Sequence, residues 1–152
     1  MKADAKTEAE VRALLTKLTD SYEKRDLEEF MACFAPDPDT VFYGTGADEK
    51  RIGPAGIQIQ AQRDWDQTDA ISIVFGWTSI SAAGPVAWAA MDGSFNIRAG
   101  GQDFIVPARV TLVLEKRDNR WLIVNGHFSA PATGQEDRIG NMASLFAAVL
   151  AD

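Results

Sequence analysis

The chain has 152 residues, 46% of them apolar and 24% charged, which suits one domain built on one hydrophobic core. Fifteen Lys and Arg against 22 Asp and Glu leave a net charge of −7, which disfavours a phosphate-backbone binder or a partner of anionic membranes. The single cysteine, Cys33, excludes an intrachain disulfide framework, and the single histidine, His127, excludes a His-rich metal site.

Val11, Leu14, Leu15, Leu18 and Tyr22 recur at helical spacing, and Thr7 with Glu10 has capping-box spacing, so a first helix is predicted from residue 7 or 8. Asp26 is the predicted N-cap of a short second helix carrying Leu27, Phe30, Met31 and Phe34 inward and stopping before Pro36. Thr40 to Tyr43 reads as a short strand, Gly44 to Asp48 as a loop and Lys50-Arg51-Ile52 as extended. Gly53-Pro54 opens a third helix, whose turns are marked by Ile57, Gln60, Ala61 and Asp64/Trp65. Four strands follow, over about 71–80, 86–98, 104–116 and 120–128. They are separated by turn signals at Ala83-Gly84-Pro85, Gly100-Gly101 and Asp118-Asn119, so neighbours run antiparallel. A last helix is predicted from about Asp137 to residue 151. With no repeat and no linker, residues 1–152 read as one α+β domain, with helices packed on a curved antiparallel sheet.

Alternation divides each strand into two faces. In the last strand, Trp121, Ile123, Asn125, His127 and Ser129 share one face, and Leu122, Val124 and Phe128 the other. In the strand before it, Arg109, Thr111 and Val113 oppose Ala108, Val110, Leu112 and Leu114. In the second long strand, Trp88, Ala90, Asp92, Ser94 and Asn96 oppose Ala87, Ala89, Met91, Phe95 and Ile97. Both faces are substantially apolar, so helices are expected on one and a second subunit on the other, a homodimer through the sheet. The alternative cover for that second face is the C-terminal helix. The polar groups Arg109, Thr111, Asn125, His127 and Ser129 on a sheet face are expected to line a pocket under a helical lid, satisfied by one another, by water or by a ligand.

Arg109-Val-Thr-Leu-Val-Leu-Glu-Lys, Asp118-Asn-Arg-Trp121 and His127-Phe-Ser-Ala-Pro131 together resemble the C-terminal half of SnoaL-like domains, in the nuclear-transport-factor-2-like superfamily. Phe42-Tyr-Gly-Thr-Gly-Ala-Asp48, followed by Gly53-Pro-Ala-Gly-Ile57, resembles that family's first strand and third helix, and Val86-Ala-Trp88 its meander. The spacing of Trp121, His127 and Ser129 is also similar to the association domain of calcium/calmodulin-dependent kinase II. The resemblance spans residues 8 to 131. It implies an α+β cone, a curved sheet wrapped around a pocket that three helices close, and frequent dimerisation through the sheet. It implies no single reaction, because the superfamily is similar across isomerases, dehydratases, cyclases and assembly domains.

The residues then divide by role. Arg109 is the expected anchor for a carboxylate or enolate oxygen, with His127 as acid/base. Asp92 beside Trp88 is the candidate proton-shuttling carboxylate, and its alternative is an ion pair with Arg109. Asn125, Thr111 and Ser129 are the expected polar contacts, and Tyr43, Trp65, Trp77 and Trp88 the candidate aromatic walls. Cys33, between Ala32 and Phe34, reads as a buried structural thiol. The acidic pairs Glu28-Glu29 and Asp48-Glu49 read as solvated surface. No metal site and no cofactor are expected. The start, Met1 to Lys6, lacks the apolar stretch of a secretory signal, and the apolar run Leu145–Ala151 is far short of the roughly 20 residues of a membrane span, so a cytoplasmic location is expected. The expected function is that of a small-molecule pocket protein, with proton transfer of isomerase, cyclase or dehydratase type on a small carbonyl or anionic compound as its candidate activity. The alternative is a non-catalytic assembly or regulatory domain working through its sheet face.

Overall fold

In the computed structural model, which describes residues 1–134, Asp4 rather than Thr7 starts the first helix. Its carboxylate accepts the Thr7 N–H at 2.7 Å, capping α1 (Ala5–Glu23) one turn earlier than the capping box predicts. Glu10 is thereby released for a tertiary role. Its Oε2 accepts from Lys116 at 2.7 Å and from the Trp121 indole N–H at 2.9 Å.

The chain breaks at Arg25, which sits in the left-handed region at φ 57°. α2 (Leu27–Met31) begins there, capped by Asp26 as predicted. β1 (Val41–Tyr43) and β2 (Lys50–Ile52) flank the Gly44–Asp48 loop, and α3 (Gly53–Asp66) starts on Pro54 as the sequence suggests. The four long strands are β3 (Ala70–Ala83), β4 (Val86–Ala99), β5 (Gln102–Arg117) and β6 (Arg120–Ser129). The predicted helix over 137–151 lies outside the described residues.

The six strands form one curved sheet in the order β2-β1-β6-β5-β4-β3. Every pairing is antiparallel except β1 with β6, which is parallel, so the sheet is mixed where a purely antiparallel one was expected. A parallel pair needs a long crossover. Here α3 and the β3–β5 meander supply it, a connection that local strand patterns do not reveal.

The helices cover one face of the sheet. Val11, Leu15, Leu18 and Tyr22 of α1, Ile57, Ala61 and Trp65 of α3 and Phe30 of α2 form one core with the inward residues of β3 to β6. On β5 the inward set is Ala108, Val110, Leu112 and Leu114, as alternation predicts. On β6 strict alternation fails. The register slips between Val113/Leu114 and Asn125/Ile123, leaving Val124 as an extra residue. Ile123 and Phe128 therefore both face the core, and Asn125 and His127 face away from it. A second bulge in β3 sets Gly76 and Trp77 opposite Asp92.

Candidate functional site

A cavity of about 200 Å³ lies between the helices and the inner face of the sheet. Its floor is aliphatic: Leu18, Ile57, Leu112 and Ile123 are all at most 2% exposed. Its walls are phenylalanines from every part of the chain. Phe34 and Phe42 lie 6.2 Å apart, Phe42 and Phe128 5.2 Å, and Phe128 and Phe95 5.7 Å, measured between ring centroids. The exposed residues Thr45 and Gln67 mark the mouth.

Polar groups gather on one side of this cavity. Asp64 of α3 accepts the Tyr22 hydroxyl at 2.8 Å and the Gln60 amide at 2.8 Å, one on each carboxylate oxygen. The same Gln60 nitrogen donates to Glu49 at 3.1 Å, and the Gln60 oxygen accepts from the Arg51 guanidinium at 2.8 Å. This bond from Arg51 fixes which way the Gln60 amide points: oxygen toward the cation, nitrogen toward two carboxylates. Gln60 and Asp64 stand one turn apart on α3, the spacing that puts two side chains on one helix face. Glu49 is held by its own loop, its Oε2 accepting the Gly46 N–H at 2.8 Å. Trp65 stands behind Tyr22, its indole N–H donating to the Tyr22 carbonyl at 3.0 Å.

Burial raises the pKa of Asp64 above the usual carboxylate range, and the bonds from Tyr22 and Gln60 offset only part of that. Burial, then the neighbouring Asp64 charge, drives the Tyr22 phenol well above its ordinary value. The pair is thus a hydrogen-bonded phenol and carboxyl group, Tyr22 buried and Asp64 half-buried, at the side of a largely apolar cavity.

None of the ten residues expected from the sequence lines this cavity. The structure brings most of them together, but on the outer face of the sheet. Arg109 stands opposite Asp92 on one side and Ser129 on the other, Thr111 opposite His127, and Val41 opposite Asn125. Tyr43 is beside His127, with ring centroids 5.5 Å apart. Arg109, Asp92, Asn125, His127 and Thr111 are all exposed, and Trp88 is half-buried. No ion pair among the described residues joins Arg109 to Asp92. None of the described helices forms the expected lid over this group, because they pack on the other face. Nor do the expected aromatic walls form: Trp65 is buried against Tyr22 and Phe30, and Trp77 is 64% exposed in the β3 bulge.

Two sequence signals pointed to the cavity without being read that way. Tyr22 ends the apolar stripe of α1 with a hydroxyl that must find a partner once buried. Asp48-Glu49 is not simply solvated: Asp48 pairs with Arg63 at 2.8 Å, and Glu49 faces the cavity. Cys33 is buried as expected, its thiol pushed up to about 11 by burial. Among the described residues no three His, Cys, Asp or Glu side chains converge as metal ligands, and no helix is long and apolar enough to cross a membrane.

The fold has many relatives among solved structures. A Xanthomonas campestris protein described as a calcium/calmodulin-dependent protein kinase II association domain is 26% identical, with a TM-score of 0.72 over 82% of this chain and 87% of its own. A nuclear transport factor 2-like superfamily protein of Salmonella enterica is 22% identical, with a TM-score of 0.79 over 89% and 99%. A Streptomyces avermitilis protein of that family, described as a dehydratase, is 14% identical, with a TM-score of 0.77 over 86% and 100%. No curated protein matches the chain. Residues 11–133 match the SnoaL-like domain, and the cone-shaped α+β architecture agrees with that match, so the chain belongs to the SnoaL-like domain family.

Proposed function

We propose that the chain binds a compact organic molecule in its interior cavity and moves a proton on it through Asp64, in the manner of a cofactor-independent isomerase, cyclase or dehydratase. One observation carries this reading: a carboxyl group stands at the polar side of a cavity whose floor and walls are apolar, hydrogen-bonded by Tyr22 and Gln60. A carboxylate with a raised pKa is a stronger base than one at the surface. It can take a proton from one atom of a bound compound and return it to another. Cytoplasmic residence goes with this reading.

The proposal moves the chemistry from His127 and Asp92 to Asp64 and drops the anionic compound. Among the described residues no Lys, Arg or His lines the cavity, so an anion entering would lose its hydration without gaining a counter-charge from them. The test is a thermal-shift screen with small aromatic compounds on wild type, Val106→Trp and His127→Ala. Val106 is half-buried and lines the cavity, so Trp there fills it. Concentration-dependent stabilisation that survives His127→Ala and disappears in Val106→Trp is the expected result. The opposite pattern would return the site to the outer face.

A second reading, an assembly domain, is favoured by the 26% identity to the protein described as a kinase association domain. On this reading the outer face around Thr111, Tyr43, His127 and Trp88 forms a twofold homodimer. Thr111→Glu sets like charges near such an axis and should shift a dimer to monomer in sedimentation velocity. Unchanged sedimentation would remove this face as the interface.

A further inference from the structure

We propose that the head group received at the polar side of the cavity is a protonated amine, so that the ligand class is an apolar, aromatic-sized body carrying an ammonium. This rests on the cavity reading above but not on the proton-transfer chemistry.

Donors and acceptors on the polar side of the cavity are unevenly spent. The Tyr22 hydroxyl has one hydrogen, and it is given to Asp64. The Gln60 amide nitrogen has two, and they go to Asp64 and Glu49. The Thr68 hydroxyl donates to the Asp64 backbone carbonyl at 2.8 Å. Tyr22, Gln60 and Thr68 have therefore already used their donors, and the other side-chain donors on the cavity, Thr45 and Gln67, stand at the mouth. What remains open toward the cavity are lone pairs on Asp64, on Glu49 and on the Tyr22 oxygen, since each carboxylate oxygen accepts more than one bond. A ketone or carboxylate brings only acceptors, would meet acceptors on this side, and could find side-chain donors only at Thr45 and Gln67 in the mouth. An ammonium brings three donors and a positive charge to a site where, among the described residues, the two ionisable carboxyl groups meet no cation on the cavity side.

The cationic side chains nearby are spoken for on the far side. Arg51 bonds the Gln60 oxygen and the Asp48 carbonyl, Arg63 bonds Asp48, and Arg25 bonds the Trp65 and Thr68 carbonyls. They stabilise the frame without lining the cavity. The walls suit the same ligand. The rings of Tyr22, Phe30, Phe34 and Phe42 present an aromatic surface, which accepts both an apolar body and the edge of a cation.

The probes are four compounds of similar size: 2-phenylethylamine, 2-phenylethanol, acetophenone and 3-phenylpropionate. Binding to the full chain at pH 7 is read by titration calorimetry, with methyl NMR of Leu18, Ile57 and Leu112 reporting whether the cavity is occupied. The amine should bind at least about tenfold more tightly than the alcohol, and the ketone and acid more weakly still. Glu49→Gln and Asp64→Asn should each erase most of the amine's advantage and leave the alcohol within a few-fold of wild type. Glu49 stands near the mouth, so its variant keeps the test open should Asp64→Asn fail to fold. Methyl shifts with the ketone or the acid as the tighter ligand would overturn the amine proposal and leave the cavity reading intact. No methyl shift with any of the four would overturn both.

Discussion

Gly126 shows how much can depend on one missing methyl group. A Cβ there would lie 2.8 Å from Phe42 Cδ2 and 3.2 Å from Leu112 Cδ2. Phe42 crosses β6 at this point and forms part of the cavity wall. Gly126→Ala should push that ring into the cavity, destabilising the protein by about 1–3 kcal/mol through overpacking and weakening any cavity ligand. Urea unfolding and calorimetry check the two effects separately. The sequence placed Gly126 on a face but gave no hint of the ring above it, because Phe42 lies more than eighty positions away. Sequence separation also hid the pairing of Asp64 with Tyr22, 42 positions apart. Their meeting is set by how α1 and α3 cross the sheet, which no periodicity encodes. Local signals did carry the Asp26 cap, the Pro54 helix start and the Asp118-Asn119 turn, both of whose residues have positive φ.

At the scale of elements, the joint between α1 and α3 is made by Arg25. Its guanidinium donates to the Trp65 carbonyl at 2.9 Å, which otherwise has only weak backbone bonds at the end of α3, and to the Thr68 carbonyl at 2.7 Å. Its backbone meanwhile makes the left-handed break before α2. Arg25→Ala should cost about 1–2 kcal/mol for the lost charged hydrogen bonds. Arg25→Gly loses the same bonds but relieves the left-handed backbone, and should be more stable than the alanine variant by about 1 kcal/mol. Equal urea midpoints for the two would show that φ at this joint stores nothing. The strands themselves were legible to within a few residues, because their β-branched runs end at turn signals. The inner and outer faces of β4 and β5 were legible too. The assignment failed on β6, where one bulged residue, Val124, shifts every position between it and Trp121 relative to strict alternation. Which face the helices cover was not legible either, since both faces carry apolar side chains.

For the whole molecule, the surface carboxylates and the buried one respond to pH in opposite directions. Hydrogen bonds from Arg117 hold Asp37 below the usual carboxylate range, and those from Lys116 and Trp121 do the same for Glu10. Such groups contribute stability that is present above the unfolded pKa and lost as pH falls through the depressed folded values. Asp64, raised by burial, favours the protonated folded state, and that contribution is lost as pH rises through its folded pKa. Melting temperature should therefore fall below about pH 4 in wild type, fall less steeply in Glu10→Gln, and lose its Asp64-dependent decline at higher pH in Asp64→Asn. Scanning fluorimetry across pH checks all three. The strand alternation has a last consequence, for how such a molecule can diversify. On β5, Val110 and Leu112 face the cavity side while Arg109 and Thr111 face outward. Neighbouring codons thus address different surfaces. A lineage can trade its ligand by drifting at even positions and its partners by drifting at odd ones, with neither change obstructing the other.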